Sequence, residues 1–326
     1  MKIDLKTLKQ WSRLGQRAMF GQFMINIAKK NKKLMVLSAD LGRSSGLDRF
    51  KKEFPDKYLS VGIAEQNLIG IASGLSKEGY KVFVTSFAPF LSMRALEQIR
   101  MNLGYMKHNV NVVALGSGLS LGFLGNSHYG LEDVGTIKTI PGIKIFSPGD
   151  CMELKNILND LSNNDRGPTY IRLTGPSNTN LLYEKPYKYN HLKENKIIKG
   201  LNKKLLILST GYISTEVKIA CNNLKKNKIF PEFIHVHKIK PINIKIIEYS
   251  KNFRNILIVE EHSKIGGLKS SIIEKLINFN HKINIETITL PDRFGPTGRY
   301  DYLIDYHGMS SNKIKKKILK IYKRSK

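Results

Sequence analysis

A single carboxylate, Glu65, stands inside Val61-Gly-Ile-Ala-Glu-Gln-Asn-Leu-Ile-Gly70, at a point where the pattern predicts the start of a helix. Small residues follow at Gly70, Ala72, Ser73 and Gly74, which lets a planar ligand or another backbone come close. Further on, Thr85-Ser-Phe-Ala-Pro-Phe90 ends an apolar, strand-like run with two aromatic rings, Phe87 and Phe90. An acid beside an aromatic shelf suits an aminopyrimidine: the carboxyl bonds a ring nitrogen and the rings cover a face. Each part also has a plainer explanation. A helix macrodipole favours an acid at its N-terminal end, and Phe-x-x-Phe is ordinary core packing in most proteins. His128, in Gly125-Asn-Ser-His128, adds an imidazole able to carry a proton near neutral pH.

The surrounding motifs decide between these readings. Ser38-Ala-Asp-Leu41 precedes the glutamate segment, and Arg94-Ala95 with Glu97-Gln-Ile-Arg100 follows the aromatic pair. Leu131-Glu-Asp133, Ile140-Pro-Gly142, Ser147-Pro-Gly-Asp150 and Gly167-Pro-Thr-Tyr-Ile-Arg172 continue the series. Glu260-Glu-His-Ser263 and Gly266-Gly-Leu268 extend it into the last third of the chain. In this order and spacing the sequence resembles the thiamine-diphosphate enzymes of the transketolase family, over their pyrimidine-binding and C-terminal domains.

The resemblance implies roles. Glu65 matches the acid that bonds the cofactor's pyrimidine nitrogen, and Phe87 and Phe90 match the rings that line the pyrimidine. Met93 stands where some relatives carry a further tyrosine, and thioether packing can fill that place. His128 matches the histidine that faces substrate hydroxyl and carbonyl oxygens. Arg17, Ser44 and Arg172 fall where relatives hold a sugar phosphate, a task suited to guanidinium forks and a hydroxyl. Two positions depart from the pattern: Leu124 replaces an aspartate, and Gly116 stands where many relatives have histidine. Losing two polar contacts predicts altered sugar recognition, since hydroxyl-reading sites discriminate through paired hydrogen bonds.

The family's Gly-Asp-Gly segment, which holds the diphosphate and its Mg2+ or Ca2+, is missing from this sequence. The resemblance therefore implies the C-terminal subunit of a split transketolase, inactive without a separate diphosphate-binding chain. Two copies of each are expected, in an α2β2 assembly about a two-fold axis. The implied reaction moves a two-carbon ketol unit from a ketose phosphate to an aldehyde. Deoxyxylulose-phosphate synthases and the β subunits of 2-oxo-acid dehydrogenases share some of these elements and stay open as alternatives, as does a non-catalytic basic interaction module.

These residues need a scaffold, and the chain supplies alternating elements. Strand-like runs at 33–38, 58–61, 81–85, 110–115, 143–146 and 169–173 alternate with helical patterns at 8–30, 92–103 and 131–139. After a polar stretch, strands at 204–209, 232–237, 255–260 and 283–289 alternate with helices at 214–225, 244–250 and 267–279. Such alternation predicts an α/β chain of two consecutive domains, each with a mostly parallel, helix-covered sheet. The expected bounds are 1–180, a linker at 181–200, and 201–326.

Composition is that of a globular chain: 326 residues, 41% hydrophobic and 25% charged. Met1–Lys6 lacks the apolar core of a signal peptide, and no apolar run is long enough to cross a bilayer, so a cytoplasmic location is expected without membrane contact. Cys151 and Cys221 lack CxxC partners and argue against a disulfide framework or zinc site, and Cys151 reads as a packed small hydrophobe. The formal charge of +28 is spread as lysine among isoleucine and asparagine, so no specific nucleic-acid partner is expected. The densest cluster, Lys313 to Lys326, reads as an amphipathic terminal helix with a solvated basic face.

Overall fold

Near-continuous apolar runs build the strands, as expected where both faces of a sheet are covered. The computed structural model describes residues 3–277 and 283–324. The strands are β1 (Leu34–Ser38), β2 (Tyr58–Ser60), β3 (Lys81–Phe87), β4 (Val110–Leu115), β5 (Lys144–Phe146) and β6 (Thr169–Arg172). After them come β7 (Asn195–Ile198), β8 (Leu205–Ser209), β9 (Glu232–His235), β10 (Lys238–Lys240), β11 (Asn255–Ser263) and β12 (Asn284–Leu290). The first sheet runs β10-β5-β6-β4-β3-β1-β2 and the second β12-β11-β8-β9-β7. Among the described residues, only the β10–β5 pair of the first sheet and the β7–β9 pair of the second are antiparallel. Two mostly parallel, helix-covered sheets are thus present, as the alternation predicts.

Two strands depart from the expected layout. β10 follows directly on β9 of the second sheet, yet it pairs with β5 of the first. β7 lies in the polar stretch read as linker, and it closes the edge of the second sheet against β9. Two buried carboxylates anchor that stretch. Asp150 accepts from the backbone N–H groups of Leu182 and Tyr183 at 3.1 and 2.9 Å. Glu153 takes the Tyr183 hydroxyl at 2.8 Å and pairs with His235 of the second sheet at 2.7 Å. Burial opposes charge on Glu153, but His235 and His237 together hold its carboxyl down at about 2.

Glu153 sits on the helix Cys151–Asn163, which the sequence reading missed. Its three asparagines, with Asp160 and Ser162, favour turns in isolation. Burial of Leu154, Ile157, Leu158 and Leu161 in the core overrides that preference, and Asp150 caps the first turn by accepting from the Glu153 N–H at 3.1 Å. Cys151 is buried there, its thiol pushed well up by desolvation, and Cys221 is likewise buried and free. The terminal helix Ser311–Arg324 buries Ile314, Ile318 and Ile321 and leaves its lysines outward. Lys326 and Met1–Lys2 lie outside the described residues. So does Phe279, the expected end of a helix observed over Leu268–Leu276. Among the described residues no helix is long and apolar enough to cross a membrane.

The expected helix at 92–103 begins earlier and is wound wider, with π-helical turns at Phe90–Arg94 and Ile99–Tyr105 around a short α turn, Leu96–Gln98. Such widened turns are concentrated at functional sites, and this one carries an arginine back over the preceding strand end.

Candidate functional site

In a parallel sheet the carboxyl ends of the strands form the crevice where ligands bind. Glu65 follows β2, Phe87 ends β3 and Gly116 follows β4, so all three lie at that edge. Glu65 is the first residue of the helix Glu65–Lys77. Its neighbour Ala64 provides no side-chain cap. The carboxylate is only 2% exposed. Ser86 donates to one of its oxygens at 3.0 Å and Arg94 to the other at 2.7 Å. Beside this buried acid, the helix face formed by Gln66, Asn67, Gly70 and Gly74 is open.

The aromatic residues converge on the same spot. The rings of Phe87 and Phe90 are edge to face with centroids 6.1 Å apart, and His128 completes a triangle at 5.7 and 5.4 Å from them. Ser127 Oγ contacts His128 Nδ1 at 3.0 Å. The Arg94 guanidinium lies 4.3 Å over the Phe90 ring while bonded to Glu65. A flat, cationic N–H donor therefore stacks on one of the expected rings and bonds the expected acid. These are the two interactions an aminopyrimidine needs, so the residues present fit such a group. Met93, in the same turn, is 47% exposed.

A recess of about 190 Å³ lies just beyond the end of β4, the strand paired with β3. Arg17, Ser44 and Gly116 line it, together with Arg43, Ser120 and Thr174. The long helix Leu5–Ala28 breaks at Gly15, where φ is 78°, and that kink borders the recess. Gly116 also has positive φ, +69°, and a Cβ there would come 2.3 Å from Leu121 Cδ1. Both the positive φ and Leu121 therefore oppose a side chain at Gly116, where the resemblance implied a histidine in many relatives. Leu124 is 41% exposed and Phe123 more so, so the loop that leads to His128 presents apolar side chains to solvent.

Arg172 is not on this surface, which corrects the phosphate assignment. Its side chain is wholly enclosed. Nε reaches both Asp133 oxygens at 2.9 and 3.0 Å, and Nη2 donates to the carbonyls of Gly130 and Glu261 at 3.1 and 2.6 Å. With Nε and Nη2 engaged and the whole side chain enclosed, the guanidinium presents no exposed fork to a ligand, its Nη1 being buried without a partner among the described residues.

The site holds residues the sequence reading did not single out: Arg94, Ser86, Arg43 and Thr174. Arg94 carried a signal, since it sits four residues beyond Phe90, a spacing that brings helical side chains together. Ser86 lies on β3 next to Phe87, whereas Arg43 and Thr174 reach the site only through the way loops meet at the sheet edge.

Comparison with known proteins assigns both domains of the chain. Residues 13–178 match the transketolase pyrimidine-binding domain and residues 194–314 the transketolase C-terminal domain. A putative transketolase C-terminal section from Methanocaldococcus jannaschii is 35% identical over 95% of this chain and 97% of its own length. One of the subunits of the apulose-4-phosphate transketolase of Phocaeicola vulgatus is 28% identical over 94% of this chain and 97% of its own. Among solved structures, a split-gene transketolase described as an inactive β4 tetramer superimposes with a TM-score of 0.82 at 27% identity, covering 96% of this chain and 99% of that one. The chain belongs to the transketolase family, whose pyrimidine-binding and C-terminal domains it comprises.

Proposed function

We propose that this chain is the pyrimidine-binding subunit of a thiamine-diphosphate-dependent ketol transferase, active with a separate diphosphate-binding subunit. The observation that carries the reading is the convergence of buried Glu65 with Phe87, Phe90 and His128 at one sheet edge. When bound, the cofactor supplies a nucleophilic ring carbon able to break a bond next to a carbonyl.

This chain's residues act around that carbon. Glu65, released from Arg94, shares a proton with the pyrimidine ring nitrogen, and its burial strengthens that bond. Phe87 and Phe90 fix the ring's orientation, with Met93 at the margin. His128 gives and takes a proton at the substrate's hydroxyl or carbonyl oxygen. Arg17 and Ser44, with Arg43 beside them, hold the phosphate of a ketose phosphate at the recess beyond β4. The diphosphate and its Mg2+ or Ca2+ would be held mainly by the partner.

The inactive β4 tetramer formed by the similar split-gene chain supports a requirement for that partner. The open helix face beside Glu65 suits a second copy, as an α2β2 assembly requires. For the sugar, the apolar Phe123 and Leu124 and the missing side chain at Gly116 favour a substrate with fewer or displaced hydroxyls. The test is turnover of ketose phosphates by the two subunits mixed, with ordinary xylulose 5-phosphate beside deoxy and branched analogues. Transfer by the mixture and not by either chain alone is expected. Turnover by this chain alone, or reaction of the mixture with pyruvate only, would overturn the reading.

A further inference from the structure

The loop that carries His128, running from Ser117 to Gly130, belongs to the first domain by sequence, but most of its anchors come from the second. Asn126, two residues before His128, forms a reciprocal pair with the backbone of Gly295, donating to its carbonyl at 3.0 Å and accepting from its N–H at 3.2 Å. Tyr129, the residue after His128, donates through its hydroxyl to the Pro296 carbonyl at 2.7 Å and to Gly122 at 3.1 Å. The Gly298 N–H reaches the same Gly122 carbonyl at 3.1 Å. His128 is therefore bracketed by two contacts to one segment of the second domain.

The other end of the loop is held by β11. The Leu119 N–H donates to Glu261 at 2.6 Å, and the Tyr300 hydroxyl donates to the other oxygen of that carboxyl at 2.7 Å. A Cβ on Gly118 would lie 2.3 Å from Glu261, so a side chain there is incompatible with the approach. Glu261 and Tyr129 are buried, so these bonds form out of competition with water.

We infer that the second domain positions His128: the segment Gly295–Gly298 clasps its loop through Asn126 and Tyr129, and Glu261 pins the loop's base. The imidazole's edge-to-face fit against Phe87 and Phe90 depends on this clasp. Asn126 and Tyr129 are positioning residues. Their chemical consequence rests on the proposed function, whereas their structural consequence does not. A displacement of about 1 Å at a reacting group costs on the order of a hundredfold in rate.

The test uses Asn126→Ala, at an exposed position, and Tyr129→Phe, which removes one oxygen and keeps the ring. In the full chain, the His128 imidazole resonance is identified by its loss in His128→Gln and followed in both variants. In the mixture with the diphosphate-binding subunit, kcat, KM and cofactor affinity are measured. We expect the His128 resonance to shift and broaden while those of His235 and His262 hold, with kcat down roughly tenfold to a hundredfold and cofactor affinity unchanged. Folded variants with an unmoved resonance overturn the inference, and so does a fall in kcat without a resonance change, since Asn126 would then act on substrate directly. Wild-type mixture that binds no cofactor defeats the functional reading alone, and the resonances still decide the clasp.

Discussion

Arg172→Ala separates a structural arginine from a phosphate-binding one. The substitution removes both bonds to Asp133 and the bonds to the Gly130 and Glu261 carbonyls. It leaves Asp133 buried, with the Tyr170 hydroxyl at 3.2 Å as its remaining side-chain donor. Removing one partner of a buried ion pair typically costs about 3–5 kcal/mol, because the other charge stays dehydrated. For a domain of this size that corresponds to a melting temperature lower by about 10 °C. Circular dichroism melts of the chain would read it, with Arg172→Lys as a milder control that keeps the charge and loses the fork. If Arg172→Ala melts with the parent and its only effect is a raised KM for phosphorylated substrates, the arginine faces the ligand and the burial argument is wrong.

Other perturbations probe the neighbouring contacts. Arg17→Ala should raise KM for a sugar phosphate and leave the melt within about 0.5 kcal/mol of the parent, and an unchanged KM would remove Arg17 from the site. Arg94→Ala releases Glu65 and the Phe90 face from an ion pair and a cation–π contact worth together about 1 kcal/mol, so thiamine diphosphate should bind about fivefold tighter to the mixed subunits. Weaker binding would mean that Arg94 stays beside the cofactor. Gly116→His should destabilise the chain by more than about 1 kcal/mol, because both its positive φ and Leu121 oppose a side chain; a neutral effect would show that Leu121 yields freely. Burial pushes the Glu261 carboxyl up to about 7, against Tyr300, Leu119 and Arg172, which favour its charge. The folded chain then keeps a proton that the unfolded chain releases near 4.5, so stability falls as pH rises through that interval, by about 3 kcal/mol at the upper end. Glu261→Gln should flatten this part of the pH–stability curve, and an unchanged slope would contradict the assignment.

The acid and the aromatic pair were legible because each lies in a short motif beside a strand end, whereas His128 was legible as a motif only, its loop being held by the distant Gly295 and Pro296. The parallel sheets were legible for a similar reason, since strands buried on both faces appear as unbroken apolar runs. Arg172 was not. It ends β6, and nothing local separates an arginine that turns inward to Asp133 from one that turns to solvent. The β7 strand was hidden because its polar residues form an edge whose pairing is set by distant β9. The crossing of β10 into the first sheet is a property of topology, which a pass along the chain does not reveal. The helix Cys151–Asn163 was lost to its asparagines, whose turn preference the buried leucines outweigh.

The most direct test of the central claim is calorimetric titration of thiamine diphosphate with Mg2+ into the mixed subunits, using this chain as wild type and as Glu65→Ala. Binding by the wild-type mixture is expected, none by this chain alone, and its loss in Glu65→Ala with the assembly intact. Equal binding by Glu65→Ala, or none by a folded wild-type mixture, would contradict the claim.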